Sequence, residues 1–545
     1  MRLSAYLPAT TREDPSGTLP AGCRRLVRAG YVRQAATGEV LWLPLGLRLV
    51  TRLADHLADV LGTQGWAPVL AFPRTPPGVD GLEAGEMPPI GAPKAPRRPP
   101  PAGLTSLVGS YKRLPLKAFQ IAWRRQPPQE GDPFPSPVRL VLEAWAVTDR
   151  PDAPVIGREL AACLGDALLE LGLEAIISHL SHEPGSPMEL CTGARGSGSE
   201  MLGCSECGFV ARPASTAVAD VPLDGAPLLP LERVATPGSD SILALCTFLG
   251  IPPERTAKAM LFAGKPPGEE RDQAVMVMVR GDRDVSWQKL AWASGWRELR
   301  RASPGEVEAI GAVPGFASPV GLMHPWVLVD QAVANSRNLV TGANQAGFHL
   351  LNTTCGRDYA PWRVADLGVG KPGDACPACG AGLRRETGVL LGACSPRLPE
   401  LGDLLGSFAD RNGGAAPLAG VSLEADLTTA VGMLADEQAD DRGLAWRPLV
   451  APFATHVIAM PSCEAPALEL HAALILQGID VLLDDREASP GAKLKDADLI
   501  GLPVRVVVSQ KSMAAGGAEL TPRAAGEPRI VPLEDVGSEI LRCIT

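Results

Sequence analysis

Aromatic residues make up only 4% of this sequence, so much of its packing must come from Leu, Val and Ala. Basic residues are not in excess: 51 Lys and Arg stand against 61 Asp and Glu, a net charge of −10, which excludes a wholesale polycation. Local contact with nucleic acid is not excluded by that balance, because it depends on where the basic residues lie. No uninterrupted apolar run approaches the roughly eighteen residues of a membrane span, so no membrane partner is expected. The first residues lack a charged start followed by an apolar core, and no signal peptide is read there. A cytoplasmic setting follows, in which the 12 cysteines are reduced or metal-bound and not a disulfide scaffold. The glycine patterns of P-loop and Rossmann nucleotide folds are absent as well.

What is present is length and apolar content. A chain of 545 residues predicts three or four domains, and 46% hydrophobic residues suffice for several cores. Glycine and proline, 58 and 53 residues, reach about a fifth of the chain, below the low-complexity range of roughly 25–30%. Residues 19–65 read as a helix, a short extended piece and a longer helix, in which Leu45, Leu47, Leu49, Leu53, Leu57, Val60 and Leu61 recur at mostly helical spacing. The proline-rich stretch 74–103 can be neither helix nor inner strand and is expected as an exposed loop. A strand is expected over 138–147 and an amphipathic helix over 157–175. From about residue 220, strands alternate with helices: helix 241–249 and strands 258–262, 274–279 and 326–330. A second α/β unit opens near 453 with strand 456–460 and a helix 466–477 whose Pro466 suits the first helical position. Strands 480–483 and 504–508 complete a compact terminal domain with a largely buried sheet. No internal repeat is evident.

The strongest chemical signal is a pair of CxxCG knuckles, Cys204-Ser205-Glu206-Cys207-Gly208 and Cys376-Pro377-Ala378-Cys379-Gly380. Two-residue spacing lets both thiolates of a knuckle face one ion, and the following glycine permits the tight turn. Four such thiolates suit a closed structural zinc site. The knuckles are far apart in sequence, so a whole domain would be inserted between them with the metal at its root; the alternative is two unrelated turns carrying reduced cysteines. His179 and His182 are three residues apart without a further ligand, which favours a solvated or core role over a metal. His349 follows the Gly342-Ala343-Asn344 turn, which could present backbone donors beside a titratable ring to a small polar ligand. Arg486, Lys493 and Lys495 follow an apolar strand and could reach phosphates, or else belong to an ordinary charged loop.

Taken together, several segments in order resemble bacterial-type prolyl-tRNA synthetases, class II enzymes, over nearly the full chain. They are Arg28-Ala29-Gly30-Tyr31-Val32-Arg33, Trp42-Leu43-Pro44-Leu45-Gly46, Ser110-Tyr111-Lys112-Arg113-Leu114-Pro115-Leu116, Lys258-Ala259-Met260-Leu261-Phe262, Val279-Arg280-Gly281-Asp282 and Thr341-Gly342-Ala343-Asn344. The likeness is closest from Gly478 through Asp484-Asp485-Arg486 to Asp498-Leu499-Ile500-Gly501-Leu502-Pro503. The resemblance implies an α/β, multidomain (α+β) architecture: a class II antiparallel sheet domain over 1–219 and 376–450, an inserted editing domain over 220–375 and an anticodon-binding domain over 451–545. It also implies a homodimer and tRNA, proline tRNA above all, as partner. The family's editing lysine matches Lys258, its Gly-Ala-Asn turn Gly342, Ala343 and Asn344, and its histidine His349.

The ligase core departs from the family. Where a Thr-x-Glu loop should hold the proline amine stands Arg97-Arg98-Pro99-Pro100-Pro101. In the Phe-Arg-x-Glu segment, whose Arg grips the α-phosphate and whose Glu reads adenine, an ungapped match places Gln126 and Pro128 at those two positions, and Arg125 could substitute only through a register shift. The Gly-x-Gly-x-x-Arg signature becomes Glu424-Ala425-Asp426-Leu427-Thr428-Thr429, so Thr429 replaces the phosphate arginine. The family's Ser-His-Glu becomes Ser199-Glu200. Carboxylates where a triphosphate must lie are repulsive. Binding of ATP with magnesium is therefore not expected, proline activation is expected to be lost, and deacylation of mischarged, alanine-type tRNA is expected ahead of ligation. An active ligase with a divergent site and a non-catalytic tRNA-binding pseudoenzyme are the alternatives.

Overall fold

A computed structural model describes residues 1–5, 10–11, 13, 15, 19–36, 39–70, 102–126, 131–149, 151–194, 197–218, 227–322, 326–396, 405–524 and 526–545. The expected loop 74–103 lies outside them except for its last two residues, which open the helical turn Ala102–Thr105.

The largest sheet has nine strands. Its path runs Ala67–Pro68, Leu116–Arg125, Val138–Thr148, Ala419–Asp426, Arg384–Ser395, Met188–Gly193 and Ile176–His179, with Ser199–Gly203 and Val210–Ala211 branching from Arg384–Ser395. Apart from the short first strand, its pairings are antiparallel. Alternation along the strands gives the sheet two unlike faces. Leu140, Leu142, Ala144 and Ala146, with Leu423, Ala425, Met188 and Leu190, join the main core under the helices. The residues between them, Arg139, Glu143, Glu424 and Glu189, point the other way.

The helices that cover the apolar face follow the expected periodicity. Pro44–Thr63 buries Leu45, Leu49, Leu53, Leu57 and Leu61, an i, i+4 stripe from which Leu47 falls away, 46% exposed. The helix expected over 157–175 begins earlier, at Ala153, and ends at Glu170 ahead of Gly172 with its positive φ. Helices Ala21–Arg28 and Leu427–Glu437 cross at two glycines: a Cβ on Gly22 would stand 2.0 Å from the Gly432 carbonyl oxygen.

Between the knuckles lie a five-stranded sheet (order Arg297–Arg301, Ala257–Lys265, Gln273–Arg280, Val327–Asp330, Arg363–Ala365) and a three-stranded sheet (order Glu232–Ala235, Phe348–Thr353, Leu339–Gly342). The C-terminal sheet, order Val481–Asp484, Thr455–Ala459, Val504–Val508, Ala518–Pro522, Arg529–Val531, is buried along its first three, parallel strands, as its apolar runs predict. Its first helix is Glu464–Leu476, so Pro466 occupies the third helical position instead of the first. No intrahelical bond is lost, because the first four N–H groups of a helix have no partner within it. Among the described residues no helix is long and apolar enough to cross a membrane.

The segment that runs from the inserted sheets to the second knuckle is held by charge. The Lys289 ammonium, fully buried, donates to Asp366 at 2.8 and 2.9 Å and to the Gly368 carbonyl at 2.7 Å. Arg283 pairs with Asp374, two residues before Cys376, at 2.6 and 2.7 Å. Lys371 and Arg280 both contact Asp282. Burial alone would raise the Asp282 carboxyl; Arg280 and Lys371 outweigh it and hold the group at about 2. A depressed carboxyl contributes stability that is complete above its ordinary value of 3.8 and lost as pH falls towards about 2. Denaturant titrations at stepped acid pH should therefore show a loss of stability in that window that Asp282→Asn lacks; identical acid profiles would contradict the assignment.

Candidate functional sites

Strand Ser199–Gly203 delivers Cys204 to the first knuckle, and Gly208, at φ +74°, turns the chain so that its N–H donates to the Cys204 carbonyl at 3.0 Å. The second knuckle repeats the turn: Gly380, at φ +81°, donates to the Cys376 carbonyl at 2.8 Å. The four sulfurs of Cys204, Cys207, Cys376 and Cys379 come within 4.8 Å of one another, with Cys204–Cys379 at 3.5 Å and Cys207–Cys376 at 3.7 Å. Metal–sulfur bonds of about 2.3 Å in a tetrahedron put sulfurs about 3.8 Å apart, so the donor set fits a zinc-sized ion. Backbone N–H groups of Cys207 and Glu206 pull the Cys204 thiol down to about 7, towards the thiolate a metal needs. Protein purified without chelator should carry about one equivalent of zinc by atomic absorption. Cys207→Ser together with Cys379→Ser should abolish it, and an unchanged metal content would remove the site.

The polar face of the large sheet carries the region where the resemblance puts nucleotide. Register places Gln120 opposite Glu143, Glu143 opposite Glu424, and Glu189 opposite Ala393 on the same row. Each carboxylate is answered. Gln120 and Arg124 donate to Glu143 at 2.6 and 2.5 Å, Arg212 Nε donates to Glu189 at 3.0 Å, and the Gln126 amide donates to Glu424 at 2.9 Å. Arg139 is 4% exposed and lies between Asp132 and Asp426, donating to Asp426 at 2.5 Å and to the Thr429 hydroxyl at 3.0 Å. Asp426 also caps helix Leu427–Glu437, accepting from the Thr429 N–H at 3.0 Å and its hydroxyl at 2.9 Å. Burial would lower the pKa of Arg139, but Asp426 and Asp132 outweigh it and raise it. Pro128, like residues 97–101, lies outside the described residues. Arg139 was missed by the sequence reading. The signal was one arginine inside the apolar run 138–147, a placement that demands buried partners. Removing one member of such a network typically costs about 3–5 kcal/mol, since the other charges stay buried. Arg139→Ala should lower the unfolding free energy by that order in denaturant titration, and a change under about 1 kcal/mol would show the network to be peripheral.

In the inserted unit, His349 and Gly342 are direct partners across the ladder of Phe348–Thr353 and Leu339–Gly342. The buried His349 ring bonds through Nδ1 to the Thr236 hydroxyl at 2.6 Å and lies 5.4 Å from the Phe316 ring centroid. Its burial lowers its pKa and keeps it neutral. The turn is pinned: Asn344, at φ +50°, donates its N–H to the Phe316 carbonyl at 2.8 Å, and its side-chain amide bonds Ser318 and Val320. A Cβ on Gly342 would meet the Phe316 carbonyl oxygen at 2.2 Å, so only glycine fits there. Ala343 stands between the two. A bridge joins Thr256 to Val340 in parallel, and Lys258 and Gly342 each lie two residues beyond it, which brings the lysine's strand alongside the turn. The Lys258 ammonium is 2.9 Å from Asp284, whose side chain is 83% exposed. Thr236, Phe316 and Asp284 carry no local motif and escaped the sequence reading.

The three basic residues of the C-terminal unit separate. Arg486 is engaged by Asp484 at 2.7 Å and Asp496 at 2.9 Å. Lys493 is buried, with its ammonium on the Ala459 carbonyl at 2.6 Å. Both serve the domain's interior, and of the three only Lys495 is exposed.

Comparison with known proteins now adds to the geometry. A family model described as an aminoacyl-tRNA editing domain matches residues 236–358, the segment carrying Thr236, Lys258, the Gly342–Asn344 turn and His349. A second, described as an anticodon binding domain, matches residues 449–542. With the antiparallel sheet, these matches define a multidomain class II synthetase architecture. Proline–tRNA ligases align with the whole chain. That of Salinispora tropica is 32% identical over 100% of this chain and 96% of its own length, and one from Dehalococcoides mccartyi is 28% identical over 100% and 99%. That of Desulforamulus reducens is 29% identical with both chains fully covered. The chain belongs to the proline–tRNA ligase family.

Proposed function

We propose that this chain binds tRNA, proline tRNA in the first place, and hydrolyses mischarged, alanine-type aminoacyl-tRNA, while its synthetase core no longer activates proline with ATP. The division of labour follows the boundaries expected from the sequence: a core over 1–219 and 376–450, an editing unit over 220–375 and an anticodon-binding unit over 451–545. One observation carries the loss of ligation. The side chains at the phosphate-binding positions bond one another, Gln126 to Glu424 and Thr429 to Asp426 and Arg139, and the Arg139 charge is already neutralised by Asp132 and Asp426. A triphosphate brought there would meet carboxylates with their compensating charge spent.

For editing, the neutral His349 ring and the pinned Gly342–Asn344 turn form a binding wall for the aminoacyl group. Lys258 positions the phosphate or terminal adenosine once Asp284 yields it. Water adds to the ester carbonyl, the carbon–oxygen bond to the ribose breaks, and the free amino acid and the tRNA hydroxyl leave. His349 orients substrate here and is not assigned as base. Of Arg486, Lys493 and Lys495, it is the exposed Lys495 that reaches RNA phosphate. Zinc in the cysteine clasp would tie the root of the editing unit together, and dimerisation through the core completes the reading.

Alignment with named ligases along the whole chain favours a second reading, an active proline–tRNA ligase with a divergent site. Proline-dependent ATP–pyrophosphate exchange and Ala-tRNA hydrolysis, measured on one preparation, separate the two. The expected result is no exchange above background and deacylation that Lys258→Ala lowers by about 10²-fold or more. Robust exchange would establish the ligase reading. Silence in both assays with retained tRNA binding would leave a non-catalytic tRNA-binding protein.

A further inference from the structure

The helix-side face of the large sheet ends at strand Ile176–His179, and beside that edge opens a cavity of about 330 Å³. Ile177 and His179 pair with Leu190 and Met188, which are core residues under the helices. Ser178 and Glu189 belong to the opposite face. The cavity therefore opens around this outer edge, with Ile177 and His179 from the helix-side face and Phe209 from the cluster that holds Ile176 on the other, and its lining includes none of Glu143, Glu424 and Glu189. Its volume falls in the range of small-molecule pockets, roughly 300–1,000 Å³.

Its walls combine three basic side chains with an apolar floor. Arg158 comes from helix Ala153–Glu170, His179 from the edge strand and His182 from the turn that follows; Phe209, Pro377 and Pro396 supply the floor. The turn is fixed in place: Leu180 donates to the Pro187 carbonyl at 2.9 Å, the Ser186 hydroxyl to the Ser181 carbonyl at 2.8 Å, and Glu183 pairs with Arg363 at 3.0 Å. Arg139, Arg212 and Arg283 all hold carboxylates. Among the described residues, Arg158, His179 and His182 have no hydrogen bond or ion pair, although they face one cavity. The one acid on its wall, Glu183, is occupied by Arg363. Three basic groups border an apolar floor on a pinned frame, and Asp366, the carboxylate whose charge acts on His182, is itself held by Lys289; such a wall suits an anion with an apolar body. Burial, then Arg158 and His182, lower the pKa of His179, which leaves a neutral ring able to donate one N–H to an anion held by Arg158.

We propose that this cavity binds a small organic anion, an apolar body bearing one carboxylate or phosphate, with the anionic group against Arg158, His179 and His182 and the body on Phe209, Pro377 and Pro396. The site stands independently of any editing or ligase activity. Calorimetric titration of the full chain with benzoate and with phenyl phosphate tests it and separates the two anion types, with inorganic phosphate and benzyl alcohol as partial ligands. At least one aryl anion should bind saturably with Kd below about 1 mM, and both partial ligands should bind about tenfold more weakly or worse. Arg158→Ala, at an exposed helical position, should weaken binding about tenfold, and Ala378→Trp, which fills the cavity from an exposed knuckle position, should abolish it. Imidazole NMR should move two of the 7 histidines, His179 and His182. The proposal is overturned by absence of saturable binding of both aryl anions up to about 10 mM, by binding that Arg158→Ala leaves intact, or by inorganic phosphate binding as tightly as phenyl phosphate.

Discussion

A guanidinium buried under a β-sheet must be surrounded by partners, and Arg139 organises the synthetase-like core by collecting them. Asp132 comes from the turn before its strand, Asp426 from the end of a neighbouring strand, and Thr429 from the helix that follows. Because Asp426 also caps that helix, the ion pair fixes where helix Leu427–Glu437 leaves the sheet. The helix then has a set height against Ala21–Arg28, which it meets glycine to glycine. A buried arginine between two partly buried carboxylates is tolerable only when nearly all its protons are engaged. Here Thr429 supplies both an N–H and a hydroxyl, which is what a threonine at that position can do and an arginine cannot.

The inserted unit depends on charge in a different way. Its sheets contribute their own apolar cores, and the segment that runs from them to the second knuckle is fixed by Lys289–Asp366, Arg283–Asp374 and Lys371–Asp282. Charged pairs are directional where apolar contact is not. A clasp of four cysteines beside directional pairs gives the root of an insertion of this size a defined orientation.

How much of this was legible depends on whether the signal is local. The stripe Leu45, Leu49, Leu53, Leu57, Leu61 is a periodicity within one helix, and the helix is present. The knuckles are two short motifs whose glycines adopt the positive φ that the tight turn requires, and the fold brings their sulfurs together. The terminal α/β unit was legible for the same reason, down to strand Val504–Val508. Pairing between distant segments was not. Nothing near Thr236 announces that it faces His349, and nothing near Arg486 or Lys493 says that their charges are spent on Asp484, Asp496 and the Ala459 carbonyl. A basic residue after an apolar strand looks the same in sequence whether it faces RNA or its own domain.

The altered core positions are informative as a set. A glycine replaced by glutamate in a buried row would ordinarily leave an unanswered carboxylate, at a penalty of several kcal/mol. Glu424 instead receives the Gln126 amide, and Gln126 stands where the resemblance expects an arginine. Asp426, at the other glycine position, receives Arg139 and Thr429. Each departure is thus matched by another, two strands away for Gln126 and Glu424 and one helical turn away for Asp426 and Thr429. Restoring arginine at position 429 alone would bring a second guanidinium beside Arg139 while removing the hydroxyl that Asp426 and Arg139 share. Restoring glycine at 426 alone would take away the helix cap and strand Arg139 against a single carboxylate. Substitutions at these bonded positions should therefore be strongly non-additive, since each changes what its partner must satisfy.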